Sequence, residues 1–408
     1  MEFSFASRAS KLLSSHLHKV NKEERQNSFI SLAEELPAEE FFPIKRLGEA
    51  ARMVLSSDPA VLQYGEPQGY APLRSWISED WKQRRGMHTT ADQILLTAGT
   101  QQAIDLITRL LVDIGDSVVV ENPTSPGCLQ VLEMQGANII AVENDLEGLL
   151  PDRLEEQFQS VKPKLLFAAP SFSNPTGILW SLERRKAVLE LCRKYEVLIV
   201  EDDSYGELHF GSEEAASRFS VSYPTLYALD AMDGGNQVLY IGSFSKTIAP
   251  AMRTGWAVGD QRLIRGMSTL KQMADWQSSS MNQQILYFLL HESSFRWKEH
   301  LALLNREYEV RLKLVLELLK RPGFKEVKYH PPSGGMYLWI QLPQGLRSEA
   351  LLRASMRLGV AFLPGSRCSP GRQADEYIRI NFSRPGREEL LLGMNLISEA
   401  IQEFTARR

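Results

Sequence analysis

Ser243, Ser245, Lys246 and Arg253 lie in one short stretch, GSFSKTIAPAMRTGW, directly after the apolar run QVLYI. A lysine whose pKa falls well below the free value of about 10.4 can condense with an aldehyde. Two hydroxyls and a forked guanidinium suit an anion such as a phosphate. Ser243-x-x-Lys246 also matches the Ser-x-x-Lys of serine acyltransferases, but the Ser-Asp-Asn and Lys-Thr-Gly segments that go with it there are absent.

Three more clusters follow apolar runs. Gly99-Thr100-Gln101 comes after QILL and opens a helix-like segment, whose free backbone N–H groups offer another anion seat. Ser173-Asn174-Pro175-Thr176-Gly177 follows PKLLFAAP, and Asp202, Asp203 and Tyr205 follow EVLIV. A carboxylate at the end of a buried strand can keep a heteroaromatic nitrogen protonated. Taken singly, these features have ordinary explanations: a solvated lysine, a turn, a helix cap. Taken together, a phosphate seat, a partner for a ring nitrogen and an amine for an aldehyde describe pyridoxal phosphate (PLP), whose ring is an electron sink.

Positioning these groups requires a scaffold that gathers strand ends. Between about residues 90 and 260, apolar runs (QILLTAG, SVVVENP, ANIIAVE, PKLLFAAP, EVLIVEDD, NQVLYIGS) alternate with amphipathic stretches such as TQQAIDLITRLLVDI. Strands apolar throughout and separated by helices imply a mainly parallel sheet covered on both faces. Ligands of such sheets bind beyond the carboxyl ends of the strands, where all four clusters fall. The expected division is a large domain over 60–290 and a smaller α+β domain from 1–59 plus 291–408.

Composition excludes other classes. The 408-residue chain is 43% hydrophobic and 24% charged, with a formal charge of −4, so nothing draws it to nucleic acid or an anionic membrane. No apolar run is long enough to span a bilayer, and the polar amino terminus has no signal-peptide core. Cys128, Cys192 and Cys368 are widely spaced and form no metal-ligand pattern; they read as reduced thiols of a cytoplasmic protein, and no metal is expected. No helix-turn-helix or basic excess precedes Tyr64, which argues against a DNA-binding regulator.

Eight segments carry a resemblance that spans nearly the whole chain: LQYGEPQGYAPLR, LLTAGTQQAIDL, ENPTSPG, PSFSNPTG, EDDSYGEL, SFSKTIAPAMRTGW, PPSGGMYLWI and YIRINFS. The chain resembles the class I/II aminotransferases of PLP-dependent fold type I. Within them it is most similar to the branch of 2-aminoadipate and kynurenine aminotransferases and MocR-type effector domains. The resemblance implies an α/β fold with a mainly parallel seven-stranded sheet and a ping-pong transfer of an amino group from an L-amino acid to a 2-oxo acid. It implies that Lys246 is the Schiff-base lysine and proton shuttle, that Asp202 pairs with the pyridine nitrogen, and that Tyr205 and Asn174 bond the ring hydroxyl. Thr100, Gln101, Ser243, Ser245 and Arg253 would hold the phosphate, while Arg379, with Asn174 beside it, would bind the substrate. Tyr64 would reach the phosphate of a neighbouring subunit, so a homodimer is expected. The same scaffold hosts decarboxylases, lyases, racemases and PLP oxidases, which remain the alternative.

Three positions depart from the pattern. Ser125 stands where relatives carry a tyrosine that stacks on the pyridine. Glu34-Glu35 replaces a Gly-Gly close to the substrate; if either carboxylate faces the pocket, it favours a cationic or amine-bearing substrate over an acidic one. His18, in Ser15-His16-Leu17-His18, stands where aminoadipate-type relatives carry an arginine for a distal carboxylate.

Overall fold

A computed structural model describes residues 4–6, 29–211, 213–291 and 295–406, so the stretch containing His18 lies outside the described residues. Strand β1 (Ile30–Ser31) belongs to the amino-terminal segment. The large sheet contains β2 (Ile94–Thr97), β3 (Ser117–Asn122), β4 (Asn138–Asp145), β5 (Gly148–Leu149), β6 (Leu165–Ala168), β7 (Leu198–Asp202), β8 (Val238–Ser243) and β9 (Gly255–Val258). Their spatial order is β2-β9-β8-β7-β6-β3-β4-β5. The five strands from β8 to β4 pair in parallel, while β9 runs antiparallel between β2 and β8. The seven expected strands are present, and the two-residue β5 adds an antiparallel eighth at the edge.

Every residue of β2, β6, β8 and β9 is buried, as a sheet covered on both faces requires. The period of two sorts the side chains between the faces. Val119, Leu166, Ile199 and Tyr240 join one core with Trp81, Phe158 and Val188 from the helices Ala71–Arg85, Pro151–Val161 and Leu182–Lys194. Val118, Leu165, Val200 and Leu239 join the other with Ile107, Leu132 and Met267 from the helices Thr100–Leu111, Pro126–Gln135 and Gln261–Asp275. From β3 the chain turns outward to β4, whereas from β6 it proceeds the other way to β7 and β8. That reversal opens a crevice at the carboxyl ends of β3 and β6.

The carboxy-terminal section supplies β10 (Lys328–Tyr329), β11 (Tyr337–Gln341), β12 (Val360–Ala361), β13 (Leu363–Pro364) and β14 (Tyr377–Asn381). An antiparallel sheet of order β10-β11-β14-β13 packs with the helices Ser348–Leu358 and Arg387–Thr405 around a core of its own. β1 joins this part of the molecule by pairing with β12, Ile30 opposite Val360. The helix Ile44–Ser57, in contrast, buries Ala50 and Val54 in the large-sheet core. The helix Trp297–Leu318 crosses between the parts: Trp297 and Leu301 pack on the large core, Leu304 to Leu318 on the small one.

Candidate functional site

The alternation of β7 gives the three acidic residues at its end three separate positions. Glu201 and Asp203 project to the same face as Ile199, and Asp202 to the opposite one. Glu201 accepts the N–H groups of Leu226 and Tyr227 at 2.8 and 2.9 Å, capping the helix Leu226–Met232. Asp203 accepts from Arg85 at 2.7 Å and from the Tyr240 hydroxyl at 2.8 Å. Only Asp202 reaches a cavity of about 190 Å³ at the carboxyl ends of the large sheet. Its Oδ1 accepts the Ser204 N–H at 3.1 Å and the Ser204 hydroxyl, and no lysine or arginine among the described residues forms a salt bridge with it. Burial pushes its carboxyl up from the usual range.

The same cavity is lined by Thr100, Gln101, Asn174, Tyr205, Ser243, Ser245, Lys246 and Arg253. Gly99 caps the helix Thr100–Leu111 without a side chain to satisfy its first N–H groups, leaving them for a ligand. Ser243 Oγ accepts the Ser245 N–H at 3.0 Å and donates to Thr254 O at 3.4 Å. Arg253 holds a left-handed φ of 43°, donating to Ala98 O at 2.6 Å and Ser245 Oγ at 3.5 Å. A Cβ at Gly99, whose φ is +99°, would stand 2.6 Å from Arg253 Nη2. Only glycine lets the guanidinium lie against this helix terminus.

Lys246 follows β8 and donates from Nζ to the backbone oxygen of Glu35 at 2.5 Å. Burial pushes its ammonium down from the ordinary lysine value, as does Arg379, against the pull of Glu35 and Asp202. Tyr205 is 6% exposed, its hydroxyl 3.2 Å from that of Tyr337, and burial pushes its pKa well up. Arg379, from β14, is 1% exposed and reaches the same region from the smaller sheet. Its Nη1 donates to Asn174 Oδ1 at 2.6 Å and to Glu35 Oε1 at 2.8 Å, and its Nη2 to Ala33 O at 2.5 Å. Tyr64 alone of the expected site residues is elsewhere. It is 77% exposed and packs edge-on against Trp276, with ring centroids 6.3 Å apart.

The structure also separates the two glutamates that the sequence left undivided. Glu34 pairs with Arg384 at 3.2 Å, whereas Glu35 lines the cavity. Its Oε1 accepts from Asn174 Nδ2 at 2.7 Å as well as from Arg379. Burial alone would raise its pKa, but Arg379 and Lys246 hold it at about 2. Ser125 lines the cavity at the position where a stacking ring was expected, and the aromatic residues among the lining are Phe167 and Tyr205. Sequence reasoning missed Cys128 and Ser204 as lining residues, and, behind the lining, the buried Glu121, whose carboxyl accepts the Ala169 N–H at 3.1 Å and is pushed by burial up to about 8. Position near a strand end was the available signal for Glu121 and Ser204, whereas Cys128 lies in the helix Pro126–Gln135 and carried none.

This donor set fits pyridoxal phosphate. An open helix terminus, two hydroxyls and a guanidinium suit a phosphate. A buried carboxyl without an ion-pair partner suits a protonated ring nitrogen, and a lysine held toward neutrality suits an aldehyde.

The family model for class I and II aminotransferases matches residues 30–391. The 2-aminoadipate transaminase of Thermus thermophilus is 33% identical, covering 98% of this chain and 97% of that protein. The aromatic-amino-acid aminotransferase 1 of Thermococcus litoralis is 32% identical over 98% of this chain and 94% of its own length. Among solved structures, the α-aminoadipate aminotransferase of Thermus thermophilus, complexed with N-(5'-phosphopyridoxyl)-L-leucine, superposes with a TM-score of 0.90. It is 32% identical, and the match covers 99% of this chain and 98% of that one.

Proposed function

The chain belongs to the class I and II aminotransferases, and from that premise we propose a role for each residue around the cavity. The protein is a pyridoxal-phosphate-dependent transferase of fold type I that acts on amino acids and 2-oxo acids. When bound, the cofactor supplies an aldehyde that condenses with amines and a ring that takes up the electron pair left at a deprotonated carbon.

Thr100, Gln101, Ser243, Ser245 and Arg253 hold the phosphate. Asp202, unpaired by any basic side chain among the described residues, would pair with the protonated ring nitrogen, whose charge would offset the burial that raises its pKa, and would keep the ring electron-poor. Tyr205 and Asn174 donate to the ring hydroxyl. Lys246 would hold the cofactor's aldehyde carbon at rest, and once the donor's amine takes its place its lowered pKa would suit it to take and return the proton of the substrate α-carbon. Arg379, fixed at its rigid strand, binds the substrate carboxylate, and Asn174 steadies it. With an L-amino acid as donor and a 2-oxo acid as acceptor, this chemistry would run as a ping-pong transfer of the amino group. The observation that carries this reading is the convergence of Asp202, Lys246 and the Arg253 cluster on one cavity.

The same reading includes a homodimer in which Tyr64 reaches the partner's phosphate. Supporting it, Tyr64 lies beside the exposed Leu62 and Trp276, and the helix Ile44–Ser57 exposes Ile44, Met53 and Leu55. It also includes a cytoplasmic location, supported by three free, buried cysteines; no helix among the described residues is long and apolar enough to cross a membrane.

Absorption spectroscopy tests the reaction. Purified protein should show the visible band of the lysine-bound cofactor and convert to the aminated form with an L-amino acid alone. Lys246→Ala should lose that band and about 1,000-fold or more of turnover. Release of carbon dioxide or hydrogen peroxide without amination of the cofactor would overturn the reading.

A further inference from the structure

Both terminal nitrogens of Arg379 are engaged by the protein itself, Nη1 with Glu35 Oε1 and Asn174 Oδ1, Nη2 with Ala33 O, while its buried Nε has no partner among the described residues. Glu35 therefore stands where the carboxylate of a donor must go. The segment bearing it is tied at alternate residues. Asn381 N donates to Leu32 O at 2.8 Å, and Asn381 Nδ2 donates to Glu34 O at 2.6 Å and Leu36 O at 3.0 Å. β1, immediately before it, is fixed by pairing with β12. A donor carboxylate can displace the Glu35 side chain, but the anchored backbone keeps the displaced carboxylate inside the cavity that Glu35 lines.

The charges then dictate which donor is accepted. Arg379 is neutralised by the incoming carboxylate, and Lys246, released by the donor's amine, serves as the neutral base that its lowered pKa favours. Arg253 serves the phosphate seat. Glu35 is left as an anion without a basic partner, its side chain 41% exposed at the cavity wall and held there by Asn174, and a cation carried by the donor complements it. A side chain ending in an ammonium supplies that cation. A neutral side chain leaves the charge unmet, and a second carboxylate adds to it. Glu34 plays no part, because its carboxylate is directed to Arg384.

Resting on the aminotransferase reading above, we propose that Glu35 sets the substrate class: it occupies the carboxylate seat of Arg379 at rest and turns to the side-chain cation of a basic amino acid when the donor binds. The site thus selects lysine-like donors and rejects dicarboxylic ones.

Three donors of equal chain length separate the charges: lysine, norleucine and 2-aminoadipate. With the holoenzyme, kcat/KM should fall in that order, lysine exceeding 2-aminoadipate by on the order of 100-fold, the size expected of one charge pair at the effective dielectric of a protein site. Glu35→Gln keeps the size and hydrogen-bonding capacity of the side chain and should shrink the ratio to about 10-fold or less, while Glu34→Gln leaves it unchanged. Calorimetry with hexanoate, adipate and the ω-trimethylammonium derivative of hexanoate, none of which can be transaminated, should give the same order of affinities. Glu35→Gln should bind hexanoate more tightly than the wild type does. The wild-type series decides even if the variant does not fold. Turnover without preference for charge, or a preference for 2-aminoadipate, overturns the proposal and leaves the aminotransferase reading intact. Failure of every donor to aminate the cofactor would sink that reading instead, and the calorimetric order would still decide the role of Glu35.

Discussion

The sequence Glu201-Asp202-Asp203 shows how one residue's environment sets its use. Asp203 is fully enclosed with Arg85 and Tyr240, so removing its charge strands a buried guanidinium. Asp203→Asn should cost about 3–5 kcal/mol of stability, read as a lowered denaturation midpoint. Asp202 makes no such pair, and Asp202→Asn should leave the midpoint nearly unchanged while slowing the amination half-reaction about 100- to 1,000-fold. The opposite pattern, with Asp203→Asn stable and slow, would exchange the two roles. The resemblance already assigned the ring nitrogen to Asp202. The alternation of β7 supplies the physical reason, since neighbouring residues on a strand must face opposite sides.

At the scale of elements, the phosphate seat is assembled from the start of the helix Thr100–Leu111 and the turn between β8 and β9. Their approach depends on Gly99, which lets Arg253 lie against the helix terminus. Gly99→Ala would place a methyl group on the guanidinium and force an L-residue into left-handed backbone. Strain of about 1–3 kcal/mol, where it opposes the cofactor-bound arrangement, corresponds to roughly a 5- to 150-fold loss of cofactor affinity. Titrating the cofactor-free variant with pyridoxal phosphate, followed by absorbance, checks this; an unchanged dissociation constant would remove Gly99 from the seat. The strands around this site were legible because their apolar runs are continuous. The short β5, only two residues, carries no periodic signal and escaped the sequence reading.

For the whole molecule, the prediction concerns assembly. Sedimentation should give twice the chain mass, and Leu62→Asp, at an exposed apolar position, should shift the equilibrium toward the monomer. Mixing a Tyr64→Ala chain with a Lys246→Ala chain should restore cofactor affinity at the site that retains Lys246, because the other chain supplies its Tyr64. Wild-type chains that sediment as monomers, or mixtures without recovery, would rule out the shared site. Burial of Tyr64 in such an interface is consistent with its position outside its own chain's cavity.

Fold class, cofactor chemistry and most of the residues around the cavity were determined by the sequence alone. Apolar runs alternating with amphipathic helices specify a covered parallel sheet, and polar residues immediately after such runs must collect at its carboxyl edge. What only the tertiary structure decided was how residues distant along the chain meet. Arg379 and Asn174 touch Glu35 because β1 pairs with β12 and Asn381 ties the following loop in place. No local pattern in ISLAEELP distinguishes Glu34 from Glu35, since the difference lies in which partner each carboxylate finds: Arg384 at the edge, or Arg379 in the site. Long-range packing set that choice, and with it the charge that an incoming donor must meet.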